Sequence, residues 1–295
     1  MGLCYRSMKF GLCLPNAQGA KHVRDLVELA QEAESLGFNS VWSSEHLFHT
    51  SYVEKRLGSA PYHEALTVLI AAATVTSTIR LGTSVLVLPW HHPVRLGKMI
   101  ASLDDLSAGR VNMGVGVAIT EDEYENLNID FHNRGDVTND MLGAMRSLWS
   151  EDFPEYTGSY FTFSNLRFEP KPVQSPLPVY VGGNSIAALK RLKKFGQAWH
   201  PLSICADDLS RIAVEHQLIA DGFKICPRMV VQFLNEPSDR PLTGRKTLKG
   251  TPGELRQMMQ LYAEAGVSEM ILNPLINDMS QMREHMHQAK EVFVF

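Results

Sequence analysis

The segment IRLGTSVLVLPWHHP, Ile79–Pro93, decides the fold of this chain. Apolar residues dominate its run from Leu81 to Leu88 without regular polar alternation, which predicts a β-strand buried on both faces. Gly82 within the run indicates a bulge or a close approach by another part of the chain. In a parallel barrel, the carboxyl end of such a strand faces the ligand. The alternative is an ordinary core strand that tolerates a glycine.

Strands and helices alternate on both sides of this segment. Short apolar segments typical of strands lie at Lys9–Leu14, Ser40–Ser43, Val111–Val115, Val179–Val181, Ala198–His200, Arg228–Phe233 and Glu269–Asn273. Periodicity, composition and capping residues predict helices at His22–Leu36, Glu64–Val75, Pro93–Leu106, Arg134–Trp149, Ser185–Phe195, Asp207–Ile219, Pro252–Ala265 and Met279–Val292. Eight strand-helix units predict an α/β fold, a single (β/α)₈ TIM barrel over residues 1–295. A doubly wound sheet is the alternative.

One segment interrupts the alternation. The residues YTGSYFTFSNLRFEPKPVQSPLP, Tyr156–Pro178, are aromatic and proline-rich and contain a glycine turn. They predict a small β-hairpin followed by an irregular crossing segment. We therefore expect an insertion at about residues 150–178 of the barrel.

Composition narrows the classes of partner. The 295 residues are 44% hydrophobic and carry a net charge of −4. The chain has no overall positive charge, so a nucleic-acid partner is not predicted. The sequence contains no apolar run of about 18 residues, so no membrane span is predicted. The four cysteines have no Cys-x-x-Cys spacing, which is typical of a reduced, cytoplasmic protein.

Two glycine-containing segments follow predicted strands. Gly182, Gly183 and Asn184 precede a predicted helix, where free backbone N–H groups and the helix dipole favour a phosphate. A tight turn that requires glycine is the alternative. The segment from Gly114 through Gly116 and Val117 to Ala118 resembles half of a dinucleotide-binding fingerprint, which is a weak signal.

Histidine is the candidate acid or base. His46 ends the second strand, where a barrel would present it to a ligand at its mouth. A hydrogen-bonded structural histidine is the alternative. The other histidines match no standard set of metal ligands, so no metal is expected. The acidic run Glu121–Glu125 is interpreted as a solvated helix start, and His285 and His287 as solvated residues of the last helix.

Taken together, several motifs resemble the luciferase-like monooxygenase superfamily, and most closely its deazaflavin-dependent oxidoreductase branch. The motifs are GFNSVWSSEHL, IRLGTSVLVLPWHHPV, LDDLSAGRVNMGVGV, EYENL, FHNRG, LWSED, FEPKPVQSPLPVYVGGNS and GQAWHP. The resemblance extends to about His200 and then weakens. It implies a bacterial luciferase-like barrel, a homodimer, and coenzyme F420 (favoured) or FMN at the carboxyl-terminal mouth.

The resemblance also assigns residues. It implies a non-prolyl cis peptide at Ser84-Val85 behind the cofactor ring, and a phosphate site at Gly182, Gly183 and Asn184. It places His46 near the reacting ring. Gly116, Val117 and Ala118 are expected to line the same mouth. The family commonly has glycine at Ala118 and tryptophan or glutamate near Ile119, so this chain lacks an expected acid there.

Three functions follow from these expectations. The first is an oxidoreductase or monooxygenase that acts on a small organic substrate by hydride transfer or oxygen activation. The second is a flavin-binding protein without catalysis. The third is a metal-dependent barrel hydrolase built from the histidines.

Overall fold

The computed structural model describes residues 7–237, 241–293 and 295. The strands are β1 (Lys9–Cys13), β2 (Ser40–Ser43), β3 (Arg80–Thr83), β4 (Leu86–Val87), β5 (Val111–Gly116), β6 (Tyr156–Thr157), β7 (Thr162–Phe163), β8 (Val179–Gly182), β9 (Ala198–His200), β10 (Lys224–Ile225), β11 (Arg228–Phe233), β12 (Leu248–Gly250) and β13 (Glu269–Pro274).

The helices surround these strands. They are α1 (Val23–Leu36), α2 (Ser51–Leu57), α3 (Ala65–Ala73), α4 (Pro93–Leu106), α5 (Asp122–Leu127), α6 (Arg134–Ser150), α7 (Ile186–Phe195), α8 (Ala206–Glu215), α9 (Pro252–Glu264) and α10 (Met279–Phe293). Most begin and end within a few residues of the predicted bounds. The short helix α2 is an addition, and α5 lies at the helix start that was predicted for Glu121–Glu125.

The strands form a closed parallel barrel, as predicted. Its neighbours run in the order β9, β8, β5, β3, β2, β1, β13 and β11. A parallel bridge between Leu202 and Arg228 joins the end of β9 to β11 and closes the ring. β10 and β11 are two parts of one strand of the ring, because β10 pairs with β9 and the Ser268 N–H, next to β13, donates to the Ile225 carbonyl at 2.8 Å. β12 pairs with β11.

The central segment is divided rather than continuous. β3 pairs with β2 and β5, the chain then breaks at Ser84-Val85, and β4 resumes the pairing with β5. A side chain at Gly82 would collide with the ring of Trp42, which fills the barrel lumen. The glycine is therefore required by a close approach, and the bulge lies two residues later.

The insertion contains the predicted hairpin. β6 and β7 pair antiparallel, with Tyr156 opposite Phe163. Phe168, in the irregular segment that follows, packs with Ala101 of α4 and Leu148 of α6 in a separate apolar cluster. The insertion is thus fixed to the outside of the barrel by α4 and α6.

The last helix corrects one expectation. His285 is buried, with 7% of its surface exposed, and its ring lies 4.6 Å from that of Phe233. The prediction that it is solvated was wrong, because His285 lies on the face of α10 that also buries Met282 and Met286. His287 is exposed, as predicted. Within 7–237, 241–293 and 295, none of the helices has the length and apolar character needed to traverse a bilayer.

Candidate active site at the carboxyl end of the barrel

The bulge after β3 forms an apolar surface at the mouth. The peptide bond Ser84-Val85 is cis, as the resemblance implied. A Cβ atom at Gly116 would lie 2.6 Å from the Val85 side chain, and one at Gly182 would lie 2.9 Å from it. The two glycines thus make room for Val85 at the ends of β5 and β8. Val85 is half-buried among buried neighbours, so part of its side chain faces the mouth.

Ser84 is held from across the lumen. Its Oγ lies 2.8 Å from Nε2 of His200, and the guanidinium of Arg228 donates to its carbonyl oxygen at 2.6 Å. Nδ1 of His200 lies 2.6 Å from the Cys226 carbonyl, so Nδ1 carries the proton and Nε2 accepts from the Ser84 hydroxyl. Burial lowers the pKa of His200 to about 4, and it is neutral at pH 7.

His46 is bound to a carboxylate at the same end of the barrel. Its Nδ1 lies 2.6 Å from Oε2 of Glu123, which the first turn of α5 carries. The Leu47 backbone N–H donates to the other carboxylate oxygen at 2.9 Å, and the Thr120 hydroxyl donates to Oε2 at 3.1 Å. Glu123 is fully buried, so the interpretation of Glu121–Glu125 as a solvated run was wrong for this residue.

The hydrogen bonds fix the protonation of this pair. Burial by itself raises the pKa of Glu123, but the hydrogen bonds from His46, Leu47 and Thr120 outweigh it and lower the pKa below its usual value. The carboxylate is therefore ionised, and Nδ1 of His46 is the donor. The side chain of His46 is 21% exposed, and with Nδ1 bound to Glu123 its other ring nitrogen is Nε2.

Glu45, the preceding residue, points to the opposite side and braces the bulge. It accepts from the Val87 backbone N–H at 2.7 Å and binds Nε2 of His91 at 2.8 Å. Burial acts to lower the pKa of His91, but Glu45 outweighs it and the net shift is upward. Two adjacent residues thus connect the end of β2 with other elements. The Glu45 carboxylate binds β4, and the His46 imidazole binds α5.

Aromatic rings surround His46. The ring of Tyr62 lies edge-on at 5.6 Å, and those of Tyr52 and Trp90 lie at 6.2 Å. The indole nitrogen of Trp90 is buried and makes no hydrogen bond within the described residues. Such a donor is normally satisfied, so it is available to a ligand that offers an acceptor.

The turn after β8 holds the predicted phosphate residues. Gly183 has φ +108°, a backbone conformation that side chains disfavour. Ser185 caps α7 by accepting from the Ala188 N–H at 3.2 Å. Both ends of the Asn184 amide bind the backbone of Leu202, at 2.8 and 3.1 Å. Asn184 therefore fixes this turn against the end of β9, and its predicted role toward a phosphate stays a prediction.

The segment after β5 reaches the mouth between the bulge and α5. The Tyr124 hydroxyl donates to the Val117 carbonyl at 2.7 Å and holds the turn. Ala118 adopts φ +51°, where an L-residue costs roughly 1–2 kcal/mol. This conformation explains why a glycine suits the position. Glu123, four residues after Ile119, is buried and binds His46.

A polar cavity of about 680 Å³ opens at the amino end of the barrel. The Arg80 guanidinium beside it donates hydrogen bonds to the side chains of Asn112 and Gln174 and to the Val111 carbonyl. Glu269 is buried there and hydrogen-bonded by Ser40, and burial raises its pKa. These contacts are internal, and residues at this end of a barrel serve stability. The candidate site is therefore the carboxyl-terminal mouth.

Glu123, His200 and Arg228 are among the residues of the site that were not identified from the sequence. Each acts across the barrel on a residue far away in the chain, so no local pattern marks it. The GQAWHP motif contained His200, but nothing in it showed that the ring would bind Ser84.

The mouth fits a planar cofactor. It offers a glycine-lined apolar surface at Val85 and two buried donors without partners among the described residues, Nε1 of Trp90 and Nε of Arg228. An indole or guanidinium N–H can only donate, which suits the carbonyl-rich edge of a flavin or deazaflavin ring. In the described residues, no group of three or more His, Cys, Asp or Glu is arranged to hold a metal.

Comparison with known proteins gives the class. The family model for luciferase-like monooxygenases matches residues 8–222. The barrel superimposes on the monooxygenase RslO1 from Streptomyces bottropensis with a TM-score of 0.84 at 23% identity, covering 97% of this chain and 99% of that one. The chain therefore belongs to the luciferase-like monooxygenase family, whose members use flavin or deazaflavin cofactors for monooxygenase or dehydrogenase reactions.

The sequence matches to known proteins extend over only part of this chain and part of each relative. An uncharacterised protein of Mycobacterium tuberculosis is 36% identical over 164 residues, which are 52% of this chain and 58% of that protein. The F420-dependent glucose-6-phosphate dehydrogenase of Amycolatopsis mediterranei is 30% identical over 184 residues, 60% of this chain and 52% of that enzyme. The chain thus matches little more than half the length of these relatives.

Proposed function

We propose that this protein is an oxidoreductase that transfers a hydride between a deazaflavin of the F420 type and a small organic substrate. The observation that carries the proposal is the His46–Glu123 pair, which stands next to the Ser84-Val85 bulge. The pairing of β2 with β3 supports this placement, because the Ser84 N–H donates to the Ser43 carbonyl at 2.7 Å. An acid–base group and an apolar ring surface thus share one mouth.

His46 donates a proton to the substrate or accepts one from it. Glu123 fixes Nδ1 as the donor and orients the ring, so Nε2 can give or take a proton as the substrate carbonyl or hydroxyl changes. The aromatic side chains around His46 exclude water and keep this proton transfer directed. When bound, the cofactor supplies the hydride chemistry.

Val85, Gly116 and Gly182 would hold the ring, and the Gly183 turn with the amino end of α7 would hold the phosphate. Coenzyme F420 is favoured by the resemblance of the whole motif set and by the F420-dependent relative. FMN, with oxygen activation in place of hydride transfer, is the alternative cofactor.

Several side chains on the loops at this end of the barrel are apolar and exposed. They are Leu47, Phe48, Ile119, Leu202 and Leu275. All follow the carboxyl ends of strands, where substrates of barrel enzymes bind. They favour a largely apolar organic substrate. By resemblance we also propose a homodimer, and the free, buried Cys13, Cys205 and Cys226 favour a reducing, cytoplasmic location.

Oxidation of the bound reduced cofactor tests this function. Reduced F420 with the protein is mixed anaerobically with small apolar ketones and enones, and reduced FMN with the protein is mixed with oxygen. We expect an acceptor to oxidise bound F420 at least tenfold faster than free F420 under the same conditions. Binding without acceleration for any acceptor would instead indicate a flavin-binding protein without catalysis.

A further inference from the structure

Arg228 is a cation at the mouth without an anionic partner. It begins β11, and its guanidinium donates to the Ser84 carbonyl at 2.6 Å and, more weakly, to Ser84 Oγ at 3.4 Å. No carboxylate among residues 7–237, 241–293 and 295 forms an ion pair with it. Its Nε is buried and has no hydrogen-bond acceptor in the part of the chain that the structure describes.

The nearby carboxylates are already occupied. Glu45 binds His91 and the Val87 N–H, and Glu123 binds His46, Leu47 and Thr120. His200, which also contacts Ser84, is neutral because burial holds its pKa at about 4. The charge of Arg228 is therefore not cancelled within the site, and a partly buried cation without a counter-ion is costly.

The charge acts on the mouth itself. Tyr62, whose ring lies 5.6 Å from that of His46, is buried, and burial raises the pKa of its hydroxyl to about 12. The positive charge of Arg228 opposes that rise. Arg228 thus lies within electrostatic range of Tyr62 and is held at the bulge by Ser84, where an anion would complete the site.

We propose that Arg228 stabilises the reduced, anionic form of the cofactor ring and thereby raises the cofactor's reduction potential. This inference rests on the proposed function. A hydride brings two electrons and one proton to the oxidised ring, which leaves one negative charge on the reduced ring. Substrate is the hydride donor in one direction and the acceptor in the other. Because Ser84 tethers the guanidinium to the bulge that supports the ring, the charge is fixed at the cofactor rather than at the substrate.

The matched variants are Arg228→Met, Arg228→Lys and Arg211→Met. Arg228→Met removes the charge with little change in length, and Arg228→Lys retains it. Arg211 is exposed on α8 and pairs with Asp208, so it controls for the loss of one charge from the protein. The dissociation constants of oxidised and reduced F420, and of oxidised and reduced FMN, are measured for each protein, together with its melting temperature.

We expect Arg228→Met to bind the oxidised cofactor within about threefold of wild type and the reduced cofactor about 10- to 100-fold more weakly, the effect of a lost charge-assisted interaction. Arg228→Lys should recover most of this difference, and Arg211→Met should show none. Equal weakening of both forms would overturn the inference, because it would make Arg228 a structural residue. Unchanged binding of both forms with weaker binding of acidic substrates would overturn it in favour of a substrate anchor.

Wild type alone provides a second readout, which applies even if Arg228→Met does not fold. The absorbance spectrum of the bound reduced cofactor is followed as the pH falls. We expect the anionic spectrum to persist to lower pH than for the free reduced cofactor, and a bound form that protonates at the same pH as the free one would overturn the inference. Failure of wild type to bind either cofactor is a different result, because it would reject the proposed function itself.

Discussion

At the scale of single residues, the site depends on how a carboxylate positions an imidazole. His46 was identifiable from its place at a strand end, but Glu123 was not. Glu121, Asp122 and Glu125 surround Glu123 with equally acidic neighbours, and only the fold brings it 2.6 Å from a histidine 77 residues earlier. The sequence therefore pointed to His46 as the candidate acid or base and missed the carboxylate that binds its ring.

His46→Ala should lower kcat by about 10²- to 10⁴-fold, because a positioned acid or base contributes that much. The variant should remain folded and bind cofactor through its phosphate. Glu123→Gln should also lower kcat, because it loses the ionised partner of Nδ1, but it should retain more activity than His46→Ala.

The matched control is His49→Ala. His49 is exposed in the same loop, and its ring binds the Ala60 carbonyl at 2.8 Å, so its loss should leave kcat unchanged. Kinetics, cofactor affinity and melting temperature are measured on the same preparations. A His46→Ala protein that melts earlier but turns over at the wild-type rate would make His46 structural.

At the scale of elements, the βα turns were more predictable than the short helices. Gly183 was expected to serve a backbone approach to a phosphate, with a tight turn that requires glycine as the alternative. Its φ of +108° shows such a turn, and the phosphate stays a prediction. The seven-residue α2 was not predicted, since it is too short for a clear helical period. For the six-residue α5, only a helix start at Glu121–Glu125 was predicted.

Gly183→Val should weaken cofactor binding more than tenfold, because a branched side chain is strained at this φ and enters the backbone approach to the phosphate. Gly222→Val is the control. Gly222 has a similar positive φ of +82°, nothing lies within 4 Å of an added Cβ, and it lies away from the mouth. Both variants should lose stability, but only Gly183→Val should change the dissociation constant. Unchanged affinity in folded Gly183→Val would place the phosphate elsewhere.

His285 on α10 should make the protein sensitive to acid. Burial lowers its pKa from 6.5 to about 4, so the unfolded chain takes up the proton first as the pH falls. Its neutral form contributes stability fully above pH 6.5, and that contribution is lost between pH 6.5 and about 4. The loss amounts to about 3 kcal/mol.

His285→Leu should therefore gain stability relative to wild type as the pH is lowered through this range. His287→Leu, on the exposed side of the same helix, should not. The free energy of unfolding is measured by urea denaturation at each pH. Parallel pH profiles for wild type and His285→Leu would show that His285 does not titrate as described. His200 has the same shift and keeps some acid sensitivity in both proteins.

At the scale of the whole molecule, the barrel was predictable because each strand-helix unit carries its own signal. The buried runs, the helix-ending Gly37 and the Thr251 capping box all favour the same structure. A bulge in the third strand was indicated by Gly82 and by the resemblance, but the contacts around it were not predicted: Trp42 fills the lumen beside Gly82, and Gly116 and Gly182 admit Val85.

We predict a homodimer by family resemblance. Light scattering at micromolar concentration should give twice the chain mass of 33.0 kDa, or about 66 kDa. A mass of one chain at these concentrations would contradict this prediction, and it would not affect the assignment of the mouth.

The most direct test of the cofactor site is a titration of the cofactor-free protein with F420 and FMN side by side, followed by fluorescence. We predict saturable binding of one cofactor per chain, with F420 bound more tightly than FMN, and we expect Val85→Asp to abolish it by placing a charge on the surface that supports the ring. Absence of saturable binding for both cofactors to folded wild-type protein would contradict the account.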